Sequence, residues 1–258
     1  MKRFAGRVVV VTGASRGIGR AVCVAMGREG ATVVGVARGD LAETGEHVKQ
    51  AGGQFRAVSA DLGQGGQAEL RQSVERILAD CGRIDVLVNN AGIIRRAPAV
   101  DFSEADWNDV LRTNLSAPFF LSQAVAKWWI TGGREKSPAE ARLKIVNVAS
   151  LLSFQGGITV PAYTASKHGI AGVTKALANE WARERINVNA VAPGYIATEN
   201  TRALREDPVR NKAIQDRIPE GRWGSPADIA GGIVFLSSPE ADYLNGTILN
   251  IDGGWLAR

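Results

Sequence analysis

Val8-Val-Val-Val-Thr12-Gly-Ala-Ser-Arg16-Gly-Ile-Gly19 is the stretch that decides the fold. Its four valines are typical of a strand buried on both faces of a parallel sheet. Glycines follow at once, and residues 20–28 have helical periodicity. Glycines let a backbone turn sharply and approach a pyrophosphate closely, while the amides at the next helix N-terminus attract negative charge. The alternative is a plain turn between strand and helix.

The same alternation of apolar runs and helical patterns continues along the chain. Strands are predicted at 8–11, 32–36, 55–59, 84–88, 143–148, 187–192 and 247–251. Helices are predicted at 20–28, 40–51, 67–79, 104–130 and 163–184, with a late helix beginning at Ser225-Pro226. This pattern predicts an α/β fold, a doubly wound, Rossmann-like, seven-stranded parallel sheet with helices on both faces, in a single domain over residues 1–258.

Two segments interrupt this alternation. Residues 131–141 are polar and glycine-containing, which predicts a surface insertion. Residues 194–219 form a long connection after the sixth strand, which predicts a lid over a binding site.

The composition restricts the class of protein. Hydrophobic residues make up 45% and charged residues 22% of the chain, and the net charge is +5 with no basic run among aromatics, so nucleic-acid binding is disfavoured. Cys23 and Cys81 have neither metal-ligand nor disulfide spacing, and no metal is expected. No apolar stretch approaches the ~20 residues of a membrane span. We therefore predict a cytoplasmic protein.

Tyr163-Thr-Ala-Ser-Lys167 has the spacing of one helix face. A cation held beside a phenol favours phenolate, so this pair predicts a tyrosine that exchanges a proton with an alcohol or ketone, with Ser150 holding the substrate oxygen. A solvent-exposed helix face is the alternative. Ligands bind beyond the carboxyl ends of strands in open α/β sheets. Chemistry-bearing residues follow five predicted strands, at 13–19, 61–62, 89–92, 150 and 193–194.

Taken in order, Thr12-Gly13-x-x-x-Gly17-x-Gly19, Asn89-Asn-Ala-Gly92, Asn114, Ser150 and Tyr163-x-x-x-Lys167 resemble the short-chain dehydrogenase/reductase family across nearly the whole chain. The resemblance implies that Tyr163 is the acid/base and that Ser150 orients the substrate oxygen. Lys167 would lower the tyrosine pKa and bind the nicotinamide ribose, and Asn114 would hold a proton-relaying water. Bridging of secondary structure is the alternative for Asn114.

The resemblance also implies a nicotinamide dinucleotide, NAD(P)(H), as cofactor. The residues expected to contact it are Gly13, Ser15, Arg16, Gly17, Ile18, Gly19, Arg38, Asp61, Leu62, Asn89, Ala91, Gly92, Tyr163, Lys167, Pro193, Gly194, Ile196 and Thr198. A sheet-stabilising role is the alternative for Asn89, and an ordinary turn for 193–198.

The end of the second strand bears on the choice of cofactor. An acidic residue there would bond the ribose of NAD, but this chain has Arg38, with Arg16 in the glycine loop. Two guanidiniums suit a 2′-phosphate, so NADP(H) is expected to be accepted. Asp40 close by is the alternative partner for the ribose.

Several stretches resemble family members that act on keto-deoxy sugar acids: 90–96, 152–157, 192–201, 217–224 and 252–258. The expected reaction is hydride transfer between the cofactor and a secondary alcohol or ketone of such an acid. Arg95, Arg96, Arg202 and Arg222 could bind its carboxylate, and Gln155 and Asn200 its hydroxyls, although loop arginines are often simply solvated.

Other activities stay open from the sequence. They are gluconate 5-dehydrogenation, reduction of 3-oxoacyl carrier-protein substrates, and cofactor binding by a regulator without catalysis. The resemblance also implies a homotetramer, with outer faces of the helices at 104–130 and 163–184 against other subunits.

Overall fold

A computed structural model of the protein describes residues 2–64, 66–138 and 140–257. Seven strands form one sheet in the order β3-β2-β1-β4-β5-β6-β7, and every neighbouring pair is parallel. The strands are β1 Val8–Thr12, β2 Thr32–Ala37, β3 Gln54–Ser59, β4 Val86–Asn89, β5 Leu143–Val148, β6 Ile186–Pro193 and β7 Ile248–Ile251. The predicted doubly wound sheet is confirmed.

Helices cover both faces of the sheet. They are α1 Gly17–Arg28, α2 Ala42–Gln50, α3 Gln67–Cys81, α4 Glu104–Leu111, α5 Ala117–Ile130, α6 Pro161–Trp181, α7 Arg202–Glu206, α8 Pro208–Arg217 and α9 Pro226–Leu236. In β1, Val9 and Val11 pack in a core with α1 and α9, whereas Val8 and Val10 pack in a second core with α3 and α5. Successive strand side chains point to opposite faces, which is why the valine run is buried throughout.

The helix predicted at 104–130 is not uniform. A π-helical turn, Arg112–Ser116, lies between α4 and α5. Pro118 has no amide to donate to the carbonyl four residues earlier, so the regular hydrogen-bond ladder cannot pass through this point. The interruption places Asn114 within the π turn.

The two interrupting segments are partly helical. Gly133–Lys136 in the predicted insertion forms a short 3₁₀ turn, while Ala139 lies outside the described residues. The predicted lid at 194–219 carries α7 and α8. Over the described ranges, no helix combines the length and apolarity needed to cross a membrane.

The strand order reverses between β1 and β4, and their ends are fastened together. The Thr12 hydroxyl accepts hydrogen bonds from the amides of Asn90 and Ala91, each at 3.0 Å. The Asn90 side chain donates to the carbonyl oxygen of Thr12 at 2.9 Å. In doubly wound sheets a ligand crevice forms at this reversal.

Candidate functional site

A cavity of about 810 Å³ lies at the carboxyl edge of the sheet. Segments after six strands line it, together with side chains from α6. Of the predicted catalytic and cofactor-binding residues, those that line it are Gly13, Ser15, Arg16, Gly17, Ile18, Arg38, Asp61, Leu62, Ala91, Gly92, Ser150, Tyr163, Lys167, Pro193, Gly194, Ile196 and Thr198. The expectation that strand ends share one crevice therefore holds for most of them.

Gly19 and Asn89 are predicted cofactor residues that do not line this cavity. A Cβ at Gly19 would lie 2.2 Å from the Gly13 carbonyl oxygen, so Gly19 permits close packing of α1 on the loop. Asn89 is buried and donates to the side-chain oxygen of Asn147 at 2.9 Å and to the hydroxyl of Ser122 at 3.0 Å. In the structure Gly19 therefore allows close packing and Asn89 bridges the sheet, while the cofactor contacts expected of both residues stay predictions.

Asn114 also lies outside the cavity lining. Its side-chain oxygen accepts from the Ile93 amide at 2.8 Å, and its nitrogen donates to the Ile93 carbonyl at 2.9 Å and the Ser166 hydroxyl at 3.2 Å. The side chain therefore bridges the loop after β4 to α6, as the alternative interpretation predicted.

Ser150, Tyr163 and Lys167 converge at one end of the cavity. Ser150 follows β5 by two residues and caps a short turn, where its hydroxyl oxygen accepts from the Leu152 amide at 3.2 Å. The buried Lys167 donates to the Val148 carbonyl at 2.6 Å, and its nitrogen lies 5.5 Å from the centre of the Tyr163 ring. The carbonyl at the end of β5 thus fixes the position of one α6 side chain, Lys167.

The pKa of Tyr163 shifts in the direction opposite to the one expected from the sequence. Burial raises the pKa of Tyr163, while a hydrogen bond with Ser150 and the charge of Arg96 oppose that rise. Burial also lowers the pKa of Lys167 to about 8. The phenol is therefore not brought toward neutrality in this structure, because desolvation outweighs the nearby charges and the ammonium faces the ring and the Val148 carbonyl.

The glycine loop fits a bound dinucleotide phosphate. Gly13 has φ +66°, and a Cβ there would lie 2.9 Å from the Ala91 Cα atom. Gly17 has φ +56°, and no side chain caps the amides at the start of α1. Free amides and a narrow glycine-lined space are what an anion needs at a helix N-terminus.

The end of β2 carries the groups expected to select the cofactor. Arg38 lies 3.6 Å from a carboxylate oxygen of Asp61, and both side chains reach solvent. Arg16 is exposed and forms no ion pair with any described residue. Asp40 lines the cavity, and its carboxylate accepts from the Ala42 amide at 2.9 Å, at the start of α2.

The four candidate carboxylate-binding arginines are not equivalent. Arg95 pairs with Asp109 at 2.8 Å. Arg202 pairs with Glu199, and Arg222 pairs with Asp228 at 2.9 Å. Arg96 has no ion-pair partner in the part of the chain that the structure describes.

Arg96 also differs from the other three arginines in its surroundings. Arg95 lines the cavity, whereas Arg96 does not. Arg96 donates to the carbonyl of the lining residue Asn200 at 3.3 Å, and its charge acts on Tyr163. Asn200 itself lines the cavity. Gln155 does not, and its side-chain oxygen faces the indole nitrogen of Trp255 at 3.4 Å.

Sequence reasoning missed several contributors. The Val148 carbonyl that holds Lys167 is a backbone group, which no residue pattern identifies. Arg20 lines the cavity one helical turn after Arg16, and this spacing was the available signal. No group of three or more potential metal-ligating side chains occurs within residues 2–64, 66–138 and 140–257.

Comparison with known proteins gives a family match over most of the chain. The family model described as short chain dehydrogenase matches residues 7–209. The 2-dehydro-3-deoxy-D-gluconate 5-dehydrogenase of Escherichia coli K12 is 50% identical over 253 residues, which cover 98% of this chain and 96% of that protein.

Two solved structures are similar over the same extent. A protein of Agrobacterium tumefaciens, provisionally assigned as 2-deoxy-D-gluconate 3-dehydrogenase and solved with bound NADP, is 53% identical with a TM-score of 0.89 and 98% of each chain covered. A protein of Beutenbergia cavernae, provisionally assigned as an NAD(P)-dependent gluconate 5-dehydrogenase and solved with NADP at low occupancy, is 46% identical with a TM-score of 0.91, again with 98% of each chain covered.

Proposed function

This chain belongs to the short-chain dehydrogenase family, and from that premise we propose that it interconverts a secondary alcohol and a ketone of a keto-deoxy sugar acid, as 2-dehydro-3-deoxy-D-gluconate 5-dehydrogenases do. It is an NAD(P)-dependent oxidoreductase acting on CH–OH groups. The observation that carries the proposal is the convergence of Ser150, Tyr163 and Lys167 in the cavity that the glycine loop also lines. When bound, the nicotinamide supplies or accepts the hydride at its C4 atom.

Each of the three converging side chains has a separate role in the proton transfer that accompanies hydride transfer. In the reduction, the Tyr163 hydroxyl gives its proton to the substrate oxygen, which the Ser150 hydroxyl holds in place. The raised tyrosine pKa keeps the phenol protonated at neutral pH, as an acid requires. The charged Lys167 stabilises the phenolate that forms and contacts the nicotinamide ribose. Asn114 holds a relay water in this proposal, and its bridging hydrogen bonds fix its position.

The sugar-acid carboxylate is proposed to bind Arg96. This side chain lacks the carboxylate partners that engage Arg95, Arg202 and Arg222. Its guanidinium is already held by the Asn200 carbonyl, so less side-chain freedom is lost on binding. Its charge beside Tyr163 would also place the substrate near the proton donor.

NADP(H) is proposed as an accepted cofactor, with Arg16 and Arg38 on its 2′-phosphate. Arg16, which forms no ion pair with any residue that the structure describes, and the solvent-reaching Arg38 support this role. Asp61 would face the adenine, and Leu62 would also contact the cofactor. The Asp40 carboxylate already accepts a hydrogen bond from the Ala42 amide at the start of α2, which makes it less available to bind the ribose.

The remaining proposals concern the molecule as a whole. One domain would carry the reaction, with residues 194–219 as its substrate lid. A homotetramer is supported by apolar side chains left exposed on α4 and α5, among them Trp107 and Ile130. A reducing cytoplasm suits the two free cysteines, Cys23 and Cys81.

The test is a panel of sugar acids with NADP⁺ and with NAD⁺, for oxidation, and of keto acids with NADPH and with NADH, for reduction, each followed by nicotinamide absorbance. We expect 2-dehydro-3-deoxy-D-gluconate or its 5-keto product to have the highest kcat/KM. Higher kcat/KM for gluconate and 5-ketogluconate, or for a 3-oxoacyl thioester, would replace the proposed substrate. Tight cofactor binding without turnover of any compound would favour the non-catalytic regulator.

A further inference from the structure

Two consecutive carbonyl groups of the glycine loop are held by side chains of α1 and α2. Arg20, on α1, donates to the Ser15 carbonyl oxygen through Nε at 3.2 Å and through Nη2 at 2.6 Å. Thr44, on α2 and fully buried, donates to the Ala14 carbonyl oxygen at 3.0 Å. Its hydroxyl also accepts from Arg20 Nε at 3.3 Å, and Arg20 pairs with Glu43. We call Arg20, Glu43 and Thr44 the α2 clamp.

The α2 clamp determines where the loop amides point. In a trans peptide the carbonyl and the amide of one unit point in opposite directions. The Ala14 carbonyl shares a peptide with the Ser15 amide, and the Ser15 carbonyl shares one with the Arg16 amide. Holding both carbonyls on the helices therefore turns the two amides the other way.

Those two amides are available to a ligand. Ser15 and Arg16 both line the cavity. Neither amide donates to an acceptor within the described chain, although the preceding amides of Gly13 and Ala14 both donate to the Val36 carbonyl. Successive free amides form a small concave site for an anion.

Arg20 is not expected to bind the phosphate directly, because its charge is already balanced by Glu43. Arg20 is paired with Glu43 and shares its remaining donors with backbone and Thr44. Thr44 does not line the cavity. We propose that the α2 clamp is a set of positioning residues, which preorganises the Ser15 and Arg16 amides for the dinucleotide pyrophosphate. The inference rests on the proposed cofactor function, and it concerns the pyrophosphate, which NADPH and NADH have in common.

The test uses Thr44→Val, which keeps the shape and removes the hydroxyl, and Thr44→Ser, which keeps the hydroxyl. Dissociation constants for NADPH and NADH are measured by fluorescence titration of the full chain, with the thermal midpoint recorded for each variant. Thr44→Val is expected to raise both constants by about fivefold or more and in parallel, and Thr44→Ser to restore them to about wild type. Val48→Ala, which trims a buried α2 side chain and keeps Arg20, Glu43 and Thr44, should lower the thermal midpoint and leave both constants unchanged.

Other results with these variants would contradict the proposed role of the α2 clamp or the cofactor assignment on which it rests. Unchanged constants in Thr44→Val overturn the α2 clamp, and so does an equal loss in Val48→Ala, which would indicate general loosening of α2. A loss confined to NADPH would assign the effect to the 2′-phosphate instead. Should Thr44→Val not fold, Glu43→Gln takes its place with the same parallel rise expected. Wild-type protein that binds neither nucleotide would overturn the proposed function itself.

Discussion

The Lys167 nitrogen lies 5.5 Å from the centre of the Tyr163 ring while donating to a backbone carbonyl at 2.6 Å. The lysine thus faces the ring and does not reach the phenol oxygen through a hydrogen bond in the described structure. Its electrostatic help to the tyrosine therefore depends on whether it carries a charge.

That charge predicts a pH dependence. Burial lowers the pKa of Lys167 to about 8, so the side chain is charged below that pH and neutral above it. Because a cation stabilises the phenolate that forms as Tyr163 gives up its proton, kcat/KM for ketone reduction should be level below pH 8 and fall above it. A profile measured with saturating NADPH that stays level to pH 10 would contradict this role.

Cofactor preference should respond to Arg38. Arg38→Leu removes a guanidinium proposed to contact the 2′-phosphate, so kcat/KM with NADPH should fall by about tenfold and that with NADH should change little. Arg71→Leu is the matched control, because it removes the same charge from the exposed surface of α3, where Arg71 pairs with Glu75. An equal fall with both nucleotides would reject the assignment.

The proposed lid, residues 194–219, contacts the segment that carries Trp255. The Trp255 ring lies 4.7 Å from the Tyr195 ring and 4.0 Å from the Arg217 guanidinium, and it packs with Ile214 and Ile218 of the lid. Trp255→Ala should therefore raise KM for the sugar acid by about tenfold while the NADPH dissociation constant stays near wild type. A KM that does not change in a folded variant would separate this contact from substrate binding.

An ion pair between a buried lysine and a partly exposed aspartate lies near the start of β5. Lys144 is almost fully buried in β5 and donates to Asp242 at 2.5 Å and to Asn187 at 3.1 Å. Asp242→Asn leaves the ammonium without its counter-charge and should cost about 1 to 3 kcal/mol of unfolding free energy, whereas Lys144→Met should cost less because it removes the buried charge. Urea unfolding at pH 7 compares the free energies of unfolding of the two variants. A larger loss of unfolding free energy in Lys144→Met than in Asp242→Asn would contradict this expectation.

The sheet could be predicted from the sequence because its strands are short, continuous apolar runs, as in Val8–Thr12, where burial on both faces demands β-branched side chains. The helical spacing of Tyr163 and Lys167 likewise follows from local geometry. The π turn around Asn114 was missed because its cause, Pro118, breaks the ladder without ending the helix.

Properties set by distant contacts could not be predicted. The raised pKa of Tyr163 comes from burial by the whole fold. Thr44 meets the Ala14 carbonyl across 30 residues, and no spacing rule joins them. The difference between Arg96 and Arg95 depends on which carboxylates reach each one, as with Asp109.

The most direct test of the proposed chemistry removes one oxygen atom. Tyr163→Phe keeps the ring that packs beside Lys167 and deletes the hydroxyl proposed as the proton donor. We expect kcat for reduction of the keto-deoxy sugar acid to fall by about 10²- to 10⁴-fold while the NADPH dissociation constant stays near wild type. Turnover equal to that of the wild-type protein would contradict the assignment of Tyr163 as the acid.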